Sequence, residues 1–289
     1  MISIFAKEAF LNTNPHEPFR IRTKPLKEGV GHLQRVSSLI RGDQIAERIG
    51  ARFNPTEGYE NGICIYVKPH VKRNEDFKFE GRKAYMDVVD GWGLLPLLKK
   101  HPYVTAIACS QQDQRKLQRL IPNKVILIPQ HHCNFDREKR NREGITRIGV
   151  IGTTGAFPLL PKDLREELSK RGIELETYSN FFTRQDIVDF YKRIDLQIVW
   201  RPYRMNLSNP LKIVNASSFG IPTIAYDESV FKEVEGCYIP VNNLNEFLEK
   251  LDELRFNAWV YPEYSKKCLE KAEDYHIDNI AKLYKELDK

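Results

Sequence analysis

The chain has 289 residues, 41% of them hydrophobic and 29% charged, a balance that suits a soluble globular protein and excludes a disordered or fibrous one. Its net charge of +6 accommodates an anionic substrate, an anionic membrane surface or nucleic acid without choosing among them. The five cysteines are scattered and form no C-x-x-C, which predicts reduced thiols in a cytoplasmic protein, free or peripheral to a membrane; no stretch approaches the ~20 apolar residues of a membrane span, and the apolar start at Met1–Phe5 is too short for a secretory signal.

In chain order, Ile2–Ala6 reads as a first strand and the proline-bearing run Asn12–Glu28 as a loop. Gly29-Val30-Gly31-His32 then leads into an amphipathic helix ending near Ile49. A glycine pair before a helix lets backbone approach a phosphate or a sugar closely. His32 is a candidate proton acceptor and equally a surface or capping histidine; Arg41 either faces a cleft or is a solvated helix charge. Ile63–Lys68 reads as a buried strand with Lys68 at its C-terminal end, the edge where open α/β sheets bind ligands. Lys83–Asp90 is a strand ending in Asp87 and Asp90, which can orient hydroxyls, act as bases or cap the following helix. After the strand Val104–Cys109, Ser110 caps a helix with Asp113 as its partner. The strand Lys124–Ile128 runs into a segment holding His131, His132 and Cys133. Adjacent residues cannot converge on one ion, so no metal site is expected.

Asp136–Gly144 carries both signs of charge and no apolar residue, the composition of an interdomain linker. Thr146–Ile151 is the next strand, opening into Gly152-Thr153-Thr154-Gly155. A helix (Lys162–Arg171), a strand (Ile173–Tyr178) and a helix capped by Thr183 follow, the last with Ile187, Val188, Tyr191 and Ile194 on one face. Asp195–Trp200 is a strand with Arg201 just past its end, where a bidentate guanidinium suits phosphate. Asn206–Glu233 is the segment around which the rest is arranged. Ser208 or Asn209 caps a short helix, Pro210 sits at its start and Gly220 stops it. Ile221–Tyr226 is a buried strand. Gly236–Val241, a helix (Asn243–Leu254) and a helical tail (Tyr261–Leu287) complete the chain.

The run NPLKIVNASSFGIPTIAYDESVFKEV resembles the donor-nucleotide motif of glycosyltransferases with the GT-B fold, in particular the family 4-like branch (glycosyl transferases group 1). Pro210, Lys212, Asn215, Gly220 and Pro222 match that pattern; its pair of glutamates would fall on Leu207 and Asn215. The resemblance implies an α/β protein of two facing Rossmann-like domains with parallel sheets. Residues 1–140 would hold the acceptor, 141–265 the nucleotide sugar, and 266–289 a helix crossing back to the first domain. It implies a hexosyl-type glycosyltransferase, retaining and metal-independent, with a nucleoside diphosphate sugar such as a UDP-sugar as donor and no cofactor. Gly152, Thr153, Arg201 and Lys212 would hold the diphosphate and Asn215 the ribose. His32, Asp87 or His132 would take the acceptor proton, with Gly29, Gly31, Lys68 and Asp90 on the acceptor side of the cleft. The acceptor stays open: a glycan, a lipid-linked sugar, a small molecule or modified DNA. The alternatives are a non-catalytic nucleotide-sugar binding protein and an enzyme glycosylating modified DNA bases. The sequence speaks against a classical Rossmann dehydrogenase, because no strand is followed by G-x-G-x-x-G with its acidic partner.

Overall fold

The structure, a computed structural model, describes residues 1–7, 10–12, 32–34, 36–69, 71, 77–140, 142, 144–203 and 205–289. Its first half runs β1 (Ile2–Ala6), β2 (Phe10–Asn12), β3 (His32–Gln34), α1 (Gln44–Ile49), β4 (Arg52–Phe53), β5 (Ile63–Val67), β6 (Lys83–Asp87), α2 (Leu95–Lys100), β7 (Thr105–Ala108), α3 (Gln111–Leu120) and β8 (Val125–Leu127). Six of these strands join in the order β4-β1-β5-β6-β7-β8, with every pair parallel. Ile63, Cys64, Ile65, Tyr66 and Val67 of β5 are all buried, as a central strand covered on both faces must be.

The second half runs β9 (Arg147–Ile151), α4 (Leu164–Lys170), β10 (Glu174–Tyr178), α5 (Arg184–Arg193), β11 (Leu196–Val199), α6 (Leu211–Ser217), β12 (Thr223–Tyr226), β13 (Tyr238–Val241), α7 (Leu244–Phe256), α8 (Val260–Glu273) and α9 (Ile277–Lys285). Its sheet is parallel in the order β10-β9-β11-β12-β13. The chain steps from β9 to β10 on one side and then to β11 on the other. That reversal leaves a crevice beyond the C-terminal ends of β9 and β11, where ligands of open sheets bind. Gly152 and Arg201 lie just past those ends. Two alternating βα halves with parallel sheets make an α/β protein of two Rossmann-like units. Among the described residues no helix is long and apolar enough to cross a membrane.

Local chemistry sets the ends of α6. Asn209 Oδ1 accepts the Leu211 N–H at 3.1 Å. Gly220 follows with φ +69°, and a Cβ there would stand 2.7 Å from Ser265 Oγ of α8, so the left-handed turn and the close approach both require glycine. The helical tail is broken: α8 stops at Glu273, and His276 Nδ1 accepts the Asp278 N–H at the start of α9. Ile277, Ile280 and Tyr284 of α9 lie in one core cluster with Ile2, Ile4, Ile45 and Ile63 of the first half.

Three expectations change. Gly29 and Gly31 lie outside the described residues, and His32 does not enter a helix but starts β3, antiparallel to β2. The helix that follows is wound as a π-helix over Ser38–Asp43, and Arg41 in this wider turn is neither a cleft residue nor a solvated charge. It is 1% exposed. Its Nε donates to Asp87 Oδ2 at 2.5 Å, and its two terminal nitrogens donate to Pro129 O and Ile128 O, each at 2.9 Å. Tyr284 of α9 donates its hydroxyl to the same Asp87 oxygen at 3.1 Å. Asp87 is therefore no proton acceptor at the cleft: its 0% exposed carboxylate faces the interior and ties α9 to the first sheet. Burial alone would lower the Arg41 pKa; the carboxylate beside it reverses this and holds the guanidinium charged.

Candidate active site

A cavity of about 150 Å³ lies between the two halves. Val36, Leu39, Ile40 and Gln44 wall it from the first half, His131, His132 and Cys133 from the connecting segment, and residues of β9, α5 and α6 from the second. Most of the chamber is apolar: Leu39, Ile40, Ile151, Phe181, Ile187 and Leu211 contribute to its walls. Apolar walls with a few convergent polar groups are the usual make-up of a small-molecule site.

Lys212 stands at its mouth. A Cβ on Gly152 would lie 3.0 Å from Lys212 Nζ, so the bare glycine lets the ammonium reach the loop after β9. The lysine side chain is exposed to water, yet protein crowds it. That desolvation, reinforced by Arg201 and opposed by Glu228, lowers its pKa to about 8. With a pKa near 8 the group remains mostly protonated at neutral pH. Thr153 is exposed beside it.

Asn215, one helical turn on, is 8% exposed. Its Oδ1 accepts the Cys133 N–H at 2.9 Å, tying α6 to the connecting segment, and its side chain lines the cavity against Tyr191. Arg184 holds the same segment by donating to Cys133 O at 2.9 Å, with its guanidinium 4.4 Å from the Phe135 ring centroid. His132 lines the cavity but is buried. Its Nδ1 accepts the Asn134 N–H at 3.2 Å, and burial, with His276 and His131 nearby, pushes its pKa down to about 3. It is a neutral ring whose basic nitrogen is already engaged. His131 is likewise pushed down to about 4 by burial, its ring nitrogens against His132 O and Ile40 O.

Arg201 is not free for a phosphate. Its Nε donates to Glu228 Oε1 at 2.8 Å, and one terminal nitrogen donates to Glu228 Oε2 and to Ser208 Oγ. On the other rim, Lys68 Nζ pairs with Asp90 Oδ1 at 2.5 Å, with side chains 40% and 49% exposed, at the C-terminal edge of the first sheet.

Segments on both sides of α6 are clamped onto the start of α3. Ser208 N–H donates to Asp113 Oδ2 at 2.9 Å, Ser110 Oγ donates to Ser208 O at 2.8 Å, and Gln111 N–H donates to Glu233 Oε2 at 2.7 Å. Leu207 is buried in the first core cluster with Leu95, Leu117 and Val125. Burial pushes the Asp113 carboxyl up to about 7, against the hydrogen bond from Ser208, and raises Glu233 for the same first reason.

Sequence reasoning missed Arg184, Glu228 and the α3 clamp. Glu228 lies 27 positions from Arg201, and no spacing rule links a strand end to the next loop. Gly152, Lys212, Asn215 and His132, singled out in the sequence, do line the chamber; the α5 stripe, which reads as core, also sends Ile187 and Tyr191 to it.

No known protein-family profile matches the chain. A protein named as an uncharacterized glycosyltransferase from Haemophilus influenzae is 29% identical over 121 residues, covering 40% of this chain and 34% of the relative. Among solved structures, a mutant of S. aureus TarM, in complex with Fondaparinux, alpha-GlcNAc-glycerol and UDP, has a TM-score of 0.60 at 12% identity. That match covers 79% of this chain and 55% of TarM. Anabaena Alr3699/HepE, in complex with UDP and glucose, has a TM-score of 0.54 at 12% identity, covering 78% of this chain and 71% of HepE. The chain thus spans about a third of the curated relative and about half of TarM. The structural likeness fixes the fold as the GT-B arrangement of two facing Rossmann-like units.

Proposed function

We propose that the chain is a glycosyltransferase that moves a hexosyl-type sugar from a UDP-sugar to an acceptor hydroxyl. One observation carries the reading: Gly152, Lys212 and Asn215 meet at an apolar chamber between the two halves, beside the switch point of the second sheet. The chamber suits a nucleoside, with the base against Phe181 and Ile187 and the Asn215 amide directed to the ribose. The UDP bound in solved TarM and HepE supports uridine as the base.

In this reading residues 141–265 hold the donor, 1–140 the acceptor, and 266–289 brace the two. The bond between the anomeric carbon and the diphosphate oxygen breaks. A bond from that carbon to the acceptor oxygen forms, and the acceptor proton passes to the departing phosphate. The Lys212 ammonium neutralises charge as it develops on the leaving group, the term that dominates such transfers. The reading requires no metal, so EDTA leaves the rate unchanged. Asp87 and His132 are held inside the protein, which supports transfer on the face the diphosphate leaves, with configuration retained. Lys68 and Asp90 stand on the acceptor edge. We place the protein in the cytoplasm, free or at a membrane surface.

A nucleotide-sugar binding protein without catalysis is the second reading. It is favoured by Leu207, which takes the place of a glutamate in the resembled motif and packs into the first core.

A thermal-shift panel of nucleoside diphosphates and their sugars, on wild type and Lys212→Ala, tests the site. A ligand at ~100 times its dissociation constant adds about 2.7 kcal/mol of stability. A uridine nucleotide should stabilise the wild type and lose most of that effect in the variant. No shift with any nucleotide refutes both readings. A shift without sugar transfer or donor hydrolysis selects the second.

A further inference from the structure

A second cavity, about 780 Å³, opens between α3 and the C-terminal ends of β11 and β12. No described residue lines both this cavity and the apolar chamber. Arg201, Lys116 and Lys232 line it with Glu228 and Asp227, and its arginine is already matched. Glu228 holds Arg201 through both carboxylate oxygens. Lys116 donates to Asn206 O at 2.5 Å and lies 4.9 Å from the Trp92 ring centroid. A diphosphate here would meet a guanidinium whose charge is cancelled and a carboxylate that repels it. What the pair leaves open is different: N–H groups on the Arg201 nitrogen that has no partner among the described residues, and lone pairs on Glu228, fixed side by side. A sugar hydroxyl both donates and accepts, so it can satisfy the two at once. At the rim, Tyr203 is 50% exposed and Met205 40% exposed. Both offer apolar surface to the C–H face of a pyranose, beside the amide of Asn206.

We infer that this cavity binds a neutral saccharide. On the function proposed above, it holds the sugar of the acceptor next to the reacting hydroxyl, which makes the acceptor a glycan. Only that second clause rests on the proposed transfer. Ser208, which lines this cavity and accepts from Arg201, lies four residues before Lys212, so the cavity abuts the candidate reaction centre.

The full chain, with Tyr203→Ala and Asn206→Ala beside the wild type, is applied to an array of neutral and acidic oligosaccharides. The UDP thermal shift of each protein is recorded in parallel. Neutral oligosaccharides should bind the wild type. Each variant should bind them on the order of tenfold more weakly, the scale of one lost contact, with the UDP shift unchanged. Retention of acidic oligosaccharides alone, retention of nothing on the array, or equal binding by both variants overturns the inference. Sugar binding without any UDP shift upholds this site and refutes the nucleotide site. Glu228→Gln adds a second readout. Unmasking Arg201 should strengthen pyrophosphate binding and weaken saccharide binding; pyrophosphate binding that is equally strong in the wild type overturns the inference.

Discussion

Asp87→Ala should be among the most damaging single substitutions in the chain, and Tyr284→Phe should cost distinctly less. Arg41 is 1% exposed and Asp87 0% exposed. Removing the carboxylate strands a guanidinium in the interior with only its two carbonyl partners, Ile128 and Pro129. Breaking a buried pair from one side costs about 3–5 kcal/mol, because the remaining charge is uncompensated. Tyr284→Phe keeps the pair and the ring packing and deletes one hydroxyl donated to a charged acceptor, worth about 1.5–3 kcal/mol. For a chain of this size a kcal/mol moves the midpoint by roughly 2 °C. The expected drops are therefore about 6–10 °C and about 3–6 °C. Differential scanning calorimetry reads both, and it also reports whether the two units melt together, on which a single midpoint depends. Equal drops would refute the reasoning, since they would mean that water reaches Arg41 and that the pair is not sealed.

Three further outcomes follow from the same geometry. Lys212 is held down to about 8, so donor kcat/KM should be flat below that pH and fall about tenfold per unit above it as the ammonium is lost; a pH–rate profile checks this. Asp113 is raised from 3.8 to about 7. Its contribution to stability is full below its unfolded pKa and is lost as pH rises through about 7. Asp113→Asn should therefore match the wild type at pH 4 and melt higher at pH 8, read as paired thermal scans. Asn215→Ala leaves the buried Cys133 N–H without its acceptor and should cost about 1–3 kcal/mol, measured by urea titration.

What the sequence disclosed was local. Ser110 and Thr183 are caps because each side chain meets the N–H three residues on, a relation contained within one turn. The α/β alternation was legible for the same reason, since strand and helix periods are written in neighbouring residues. The interior pair was not. Arg41 and Asp87 lie 46 positions apart, and a charged residue on a helix looks the same in sequence whether it meets solvent or a buried carboxylate. Arg201 failed in a related way. Its placement at a strand end was readable, but the loop carboxylate that cancels its charge could be assigned only once β12 lay beside β11. The π-helical turn that carries Arg41 has no local signature in SLIRGD.

The bond from Tyr284 to Asp87 spans 197 positions and so orders events in time. On a ribosome adding about 5–20 residues per second, the interval between making Asp87 and making Tyr284 is roughly 10–40 s. For most of it, once β8 has been made, the first sheet has its strands but not the helix that covers them, and Ile2, Ile4, Ile45 and Ile63 wait for partners that arrive with α9. The first half to be synthesised is thus the last to be finished. A chain truncated before residue 277 would carry an intact second half and an uncovered apolar face on the first, the state that chaperones and proteases recognise.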